Sequence, residues 1–191
     1  MKKIILTVIT TLVIIAVSFT AYMYSGTYDV SQLVPHNGLT KWMIRTTKHK
    51  SINKRLKDIQ VPPMNDTANY VEGFVHYNEM CVMCHGAPGI DPMEMTKGLY
   101  PKPPKFTKSD DLPDPDESFW IIKNGIKMTS MPAYGPTHDD KKIWAITDFF
   151  LNKMNKLSPE EYQAWIKKYS GNAMPEKQDV EEKEKGEEDS D

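Results

Sequence analysis

The chain has 191 residues, enough for one ordinary domain with appendages or for two small ones. Its apolar share of 39% excludes a protein built mostly of membrane spans but leaves room for one. The net charge of −2 hides a split: Glu176 to Asp191 hold nine acids against three lysines, leaving 21 bases and 17 acids in the other 175 residues. That mild excess is no field for nucleic acid. Two cysteines are too few for a disulfide scaffold.

Lys2 and Lys3 precede an uncharged apolar stretch from Ile4 to Tyr24. A bilayer core needs roughly 20 such residues as a helix, and Tyr22 and Tyr24 fall where amphipathic rings favour the interface. Residues 1–24 are therefore expected to form a single-pass anchor. The alternative is a cleaved signal peptide, for which Ala16 and Ser18 offer a weak site. Either way the rest of the chain is exported. With both flanking lysines before the span, the N-terminus is expected inside and the following domain on the periplasmic face of the cytoplasmic membrane.

Residues 25–64 are expected to be a juxtamembrane linker, punctuated by Ser25-Gly26, Pro35 to Gly38 and Pro62-Pro63. Fully extended, such a linker would reach over about 100 Å. Between its breaks, Leu39 to Ile59 is expected to form a short basic helix, either a solvated charged face or a segment resting on anionic head groups or a partner.

The compact domain is expected at 65–155. Its first helix starts at Asn65 or Asp66 and runs to about Cys81, with Val71, Phe74, Val75 and Tyr77 on the apolar side. A loop rich in Gly and Pro follows. A second helix fits Glu117 to Asn124, capped by Asp116 and stopped by Gly125. A third fits Asp139 to Met154, with Ile143, Ile146, Phe149 and Phe150 at helical spacing. Residues 156–171 add a helix opened by the capping box Ser158-Pro159-Glu160-Glu161. No run alternates as a strand, so the fold class is all-α. Residues 172–191 are acidic, lack aromatics and are expected to be disordered.

The chemistry sits in Cys81-Val82-Met83-Cys84-His85, the C-x-x-C-H attachment motif of c-type haem. Near a helix end, two thiols three residues apart lie on one side, where they can add to the two vinyl groups of one porphyrin. The adjacent imidazole then reaches the iron. Zinc would need four ligands, and no second Cys or His pair supplies them. A thioredoxin-like pair would need a βαβ context, and a disulfide across so small a loop gains little. One covalent haem c is the expected cofactor, with His85 as an iron ligand. The other axial ligand is expected to be Met131, because Pro132 holds it in extended backbone. Met128 is the nearest rival, and Met93, Met95, Met154 and Met174 are further candidates. Met80, Met83, Met93 and Met154 more simply read as core filler. His36, His49, His76 and His138 would be the source of a bis-His site.

With these residues the sequence resembles the small bacterial monohaem cytochromes c over residues 69 to about 153. Gly73, Tyr77 and Cys81 repeat at intervals of four, as in that family's first helix, and Ile146 and Phe149 stand where the last helix packs across it. Pro104-Lys105-Phe106 resembles the family's Pro-x-Leu segment. The resemblance implies that Pro104 (Pro103 being the alternative) accepts a hydrogen bond from the proximal imidazole and that Phe106 lines the haem. Ser130-Met131-Pro132 is similar to the distal Met-Pro element, with Ser where Gly is common.

The resemblance implies a cytochrome c fold and one-electron transfer, without catalytic residues, by a membrane-tethered carrier. Its partners would be a quinol-oxidising complex, a terminal oxidase or a dehydrogenase. Three other readings stay open. They are a fixed subunit of a larger oxidoreductase, a haem enzyme or gas sensor with an open sixth position, and a haem-free adaptor.

Overall fold

The structure is a computed structural model describing residues 1–107 and 112–170. The expected acidic tail, 172–191, lies outside the described residues. The chain divides into two units, Met1–Thr46 and the part from Thr47 onward.

In the first unit, α1 (Lys2–Tyr24) is one uninterrupted helix with no buried residue. It is long and apolar enough to cross a membrane, and being apolar all round without a packing partner it suits lipid rather than a folded core. Helix α2 (Gly38–Arg55) occupies most of the expected basic segment. It ends four residues before Ile59, and it turns 18 residues of the anticipated tether into helix, so the connector's reach is well short of the extended length.

The second unit is helical. Among the described residues it has no strand, only an isolated bridge between Ala87 and Ile90. Helix α3 (Thr67–His76) begins where expected: Asp66 is extended and its carboxylate accepts the Ala68 N–H. It does not stop near Cys81. The helix passes through a π turn at Tyr77–Cys81 and resumes as α4 (Val82–His85).

Helix α5 (Pro115–Asn124) starts two residues before the expected Glu117. Pro115 takes the first helical position, where its missing N–H costs nothing, which makes Asp114 the cap in place of Asp116. Asp116 instead accepts the Glu117 N–H. Helix α6 (Asp140–Asp148) is capped by Asp139 through Lys142 N–H. The single helix expected to run to Met154 is broken into α6, a π turn (Phe149–Lys153) and a 3-10 turn (Met154–Lys156). Helix α7 (Pro159–Tyr169) carries the complete Ser158/Glu161 capping box.

The core forms where α3 crosses α6. Gly73 makes the crossing possible: a Cβ there would collide with the Ala145 carbonyl and come within 2.8 Å of Phe149 Cβ. Around the crossing, Phe74, Tyr77, Ile143, Ile146, Phe149, Phe150 and Met154 are buried. The Phe74 ring meets Phe149 at 5.6 Å, and Tyr162, Trp165 and Tyr169 of α7 at 5.4, 5.4 and 6.1 Å, all edge-on. Such packing adds favourable quadrupole contacts to the area buried. Asp148, also buried, accepts backbone N–H groups from Asn65 and Asp66 and the side-chain amide of Asn152. It thereby ties the end of α6 to the start of α3.

Candidate haem site

The site is built on the end of the α3–α4 helix. Cys81 falls on the last residue of the π turn, and Cys84 and His85 close α4. Gly86 ends the helix at φ +72°, a left-handed conformation suited to glycine, with its N–H on Val82 O. Two hydrogen bonds then close the next turn, Ala87 N–H to Ile90 O at 2.9 Å and the reverse at 2.8 Å. From beneath, the buried Tyr77 hydroxyl donates to Gly86 O at 2.9 Å.

Neither cysteine is in a disulfide. Burial, aided by the neighbouring Cys84, pushes the Cys81 thiol up to about 12, so it is a protonated thiol at neutral pH. His85 is held below the ordinary imidazole value: burial lowers it, and the contact with Pro104 opposes that only in part. The neutral imidazole is the form that ligates a metal. Its Nδ1 lies 2.8 Å from Pro104 O. Of the two prolines weighed, Pro104 is thus the partner. A carbonyl there accepts from Nδ1–H, which leaves Nε2 as the basic nitrogen. The Phe106 ring stacks on the imidazole at 4.7 Å and 18° and continues onto Phe150 at 4.9 Å, joining the loop to the core.

The Met131 loop is suspended from the end of α5. Tyr134 N–H and Gly135 N–H donate to Ile122 O and Lys123 O at 3.0 and 2.9 Å, filling carbonyls that the helix end leaves open. Gly125, at φ +64°, lies flat against the loop backbone, where a Cβ would meet Met131 O and Ala133 N at 2.8 Å. Ile126 N–H returns to Met131 O, and Thr129 Oγ1 accepts Met131 N–H, both at 3.2 Å. Met131 is half-buried against the core cluster. Its rival Met128 is 93% exposed on left-handed backbone. Tyr134 draws this loop to the motif: burial, then the nearby Cys81 and Cys84, push its phenol up to about 12.

His138 borders this arrangement, its ring meeting that of Tyr134 edge-on at 5.7 Å. His76 and His138 meet edge-on at 5.0 Å, and His36 pairs with Tyr28. Of the methionines read as filler, Met154 is core, whereas Met83 and Met93 are exposed.

The sequence did not single out Tyr77 and Gly86 as the turn's support, nor Tyr134 as the link to the distal loop. A glycine directly after the motif was the available signal for the first pair.

The donor set fits covalently held haem. Two thiols lie free of a disulfide at one helix end, the adjacent imidazole is neutral with its outer nitrogen set to accept, and a thioether stands on a loop drawn to the same cysteines. No group of three or more His, Cys, Asp or Glu among the described residues is arranged to hold a bare metal ion.

Residues 68–150 match the family described as cytochrome C oxidase, cbb3-type, subunit III. No curated protein and no solved structure matches the chain. The matched region runs from the first turn of α3 through Phe150 and contains both the motif and the Met131 loop. The match supports a c-type cytochrome domain over these residues, which implies covalently bound haem and haem-based electron transfer. The apolar helix α1 fits attachment of that domain to a membrane.

Proposed function

We propose that the chain is a membrane-tethered, single-haem electron carrier whose domain faces the outer side of the cytoplasmic membrane. It would accept electrons from a quinol-oxidising complex or dehydrogenase and pass them to an oxidase. The observation that carries the reading is the 2.8 Å contact between His85 Nδ1 and Pro104 O beside two free cysteines.

Bound there, haem would supply a one-electron couple. Cys81 and Cys84 form the thioether links. His85 ligates through Nε2, with Pro104 fixing its tautomer and raising its basicity. Met131 would supply a thioether to the iron, a donor that favours the reduced state. Phe106 keeps water from the imidazole face.

The test is a pyridine haemochrome spectrum of mature protein after acid-acetone extraction. Haem should remain with the polypeptide and should be released once both Cys81 and Cys84 are alanine. Met131→Ala should abolish the long-wavelength charge-transfer band of the ferric protein and admit carbon monoxide to the ferrous one. Haem that extracts from the unmodified chain sinks the proposal.

A second reading, a fixed haem subunit of an oxidase, is favoured by the description of the matched family. Detergent extraction separates the two: a fixed subunit co-elutes with a larger haem–copper chain at high salt, and a carrier elutes alone.

A further inference from the structure

Helix α2 carries Lys41, Arg45, Lys48, Lys50, Lys54 and Arg55 and no acidic residue. Over its first turns the charges separate from the apolar side chains, Ile44 on the basic side excepted. Leu39, Trp42 and Met43 share one arc at helical spacing and are 67, 63 and 53% exposed, while Lys41, Arg45 and Lys48 repeat along the opposite arc. An exposed tryptophan between two aliphatic neighbours on a basic helix suits the boundary between head groups and acyl chains, where an amphipathic ring is at home and lysine stems reach back to the charged layer.

The connector sets where this helix begins. The Tyr28 hydroxyl and His36 Nδ1 are 2.6 Å apart, and their rings stack at 6.1 Å. This contact closes residues 28–36 into a loop. Tyr28 is four residues from the end of α1, at most about 14 Å along the chain, and His36 is two residues from Gly38. The start of α2 is therefore held nearer the end of α1 than an open connector of that length would hold it. Asn37 caps it there, its side chain accepting the Thr40 N–H at 2.9 Å.

We propose that the first turns of α2 lie on the membrane that α1 crosses, with Leu39, Trp42 and Met43 at the acyl boundary and Lys41, Arg45 and Lys48 on anionic lipid phosphates. The inference rests on the reading of α1 as a membrane span. Charge complementarity and the short closed connector select lipid as the occupant over a protein partner.

The test uses the full holoprotein in nanodiscs of phosphatidylcholine, with and without about one-third phosphatidylglycerol, a share high enough for surface charge to act on nearby bases. Lipids brominated high on the acyl chain report contact through quenching of Trp42, taken as the difference between the native chain and Trp42→Phe. In anionic discs Trp42 should be quenched at least twofold more than in neutral ones. A Lys41→Gln, Arg45→Gln, Lys48→Gln variant should lose that excess while still co-eluting with the discs. Co-elution with an unquenched Trp42 overturns the docking alone and leaves the face to a protein partner. A chain that does not co-elute overturns the anchor, and the docking with it.

Discussion

The buried carboxylate of Asp148 accepts the backbone N–H of Asn65 at 3.0 Å, across 83 positions of sequence. It does from a distance what Asp66 does locally, filling donors at the start of α3, where Asn65 itself sits at φ +73°. Asp148→Asn keeps the shape but turns one acceptor into a donor facing other donors. A buried donor left unmet costs about 1–3 kcal/mol. Guanidinium unfolding of the holoprotein should show a loss of about 2 kcal/mol, and a midpoint equal to that of the native chain would refute the assigned role.

Gly73→Ala should be among the most damaging single changes in the domain. The added carbon meets backbone, the Ala145 carbonyl, which cannot swing aside as a side chain can. Overpacking of this kind costs about 3 kcal/mol or more. Thermal unfolding measures it, and Ala145→Gly, which leaves the carbonyl in place, should not rescue it.

Helix α7 lies beyond the matched residues 68–150, yet it supplies three of the four rings around Phe74. Ending the chain after Leu157 would bare that ring, and large core aromatics stripped of their packing lose about 3–5 kcal/mol. Ser158→Ala, which removes only the cap, should cost about 1 kcal/mol. The ratio of the two losses in chemical unfolding checks the assignment.

The paired rings of His76 and His138 give the domain an acid limit. Burial is the largest influence on each and lowers both below the ordinary value. Lys142 adds to this at both, and His76 also depresses His138, while Glu72, Glu79 and Asp139 oppose it at His76, and the Tyr134 backbone and then Asp139 oppose it at His138. The unfolded chain therefore takes up these protons at higher pH than the folded one. The stabilisation is whole above the unfolded imidazole value of about 6.5 and is lost as pH falls below it toward the depressed folded values. Unfolding free energies between pH 7.5 and 5 should fall with acid, and His76→Gln combined with His138→Gln should flatten that slope.

How far the sequence could be read depended on how local each signal was. Asp66, Asp139 and Ser158 announce helix starts because a cap and its partners lie within three residues. Asp116 reads as the cap of α5 from sequence, but Pro115 takes the first helical position and moves the cap to Asp114. Asp148 carries no local signal of its role, because Asn65 and Asp66 lie 83 and 82 positions away in sequence. The π turns were invisible, since one extra residue barely disturbs an apolar pattern spread over four turns. The attachment motif could be read from three residues alone. The Pro104 contact was reached only through a family resemblance, because the loop between His85 and Pro104 has no periodicity to fix its path.

The π turn at Tyr77–Cys81 sets the direction of the motif by a count of residues. Each residue of an α-helix advances the azimuth by about 100°, and a π turn accommodates one residue more than the α-helical count. Deleting the exposed Glu79 would let α3 run on as plain α-helix through His85. Both thiols and the imidazole would keep their direction toward Phe106 and the Met131 loop, because the deletion removes the one residue that the π turn absorbs. Such a chain should keep its helical circular dichroism and still mature with haem, whereas loss of haem would show that the π turn itself is needed.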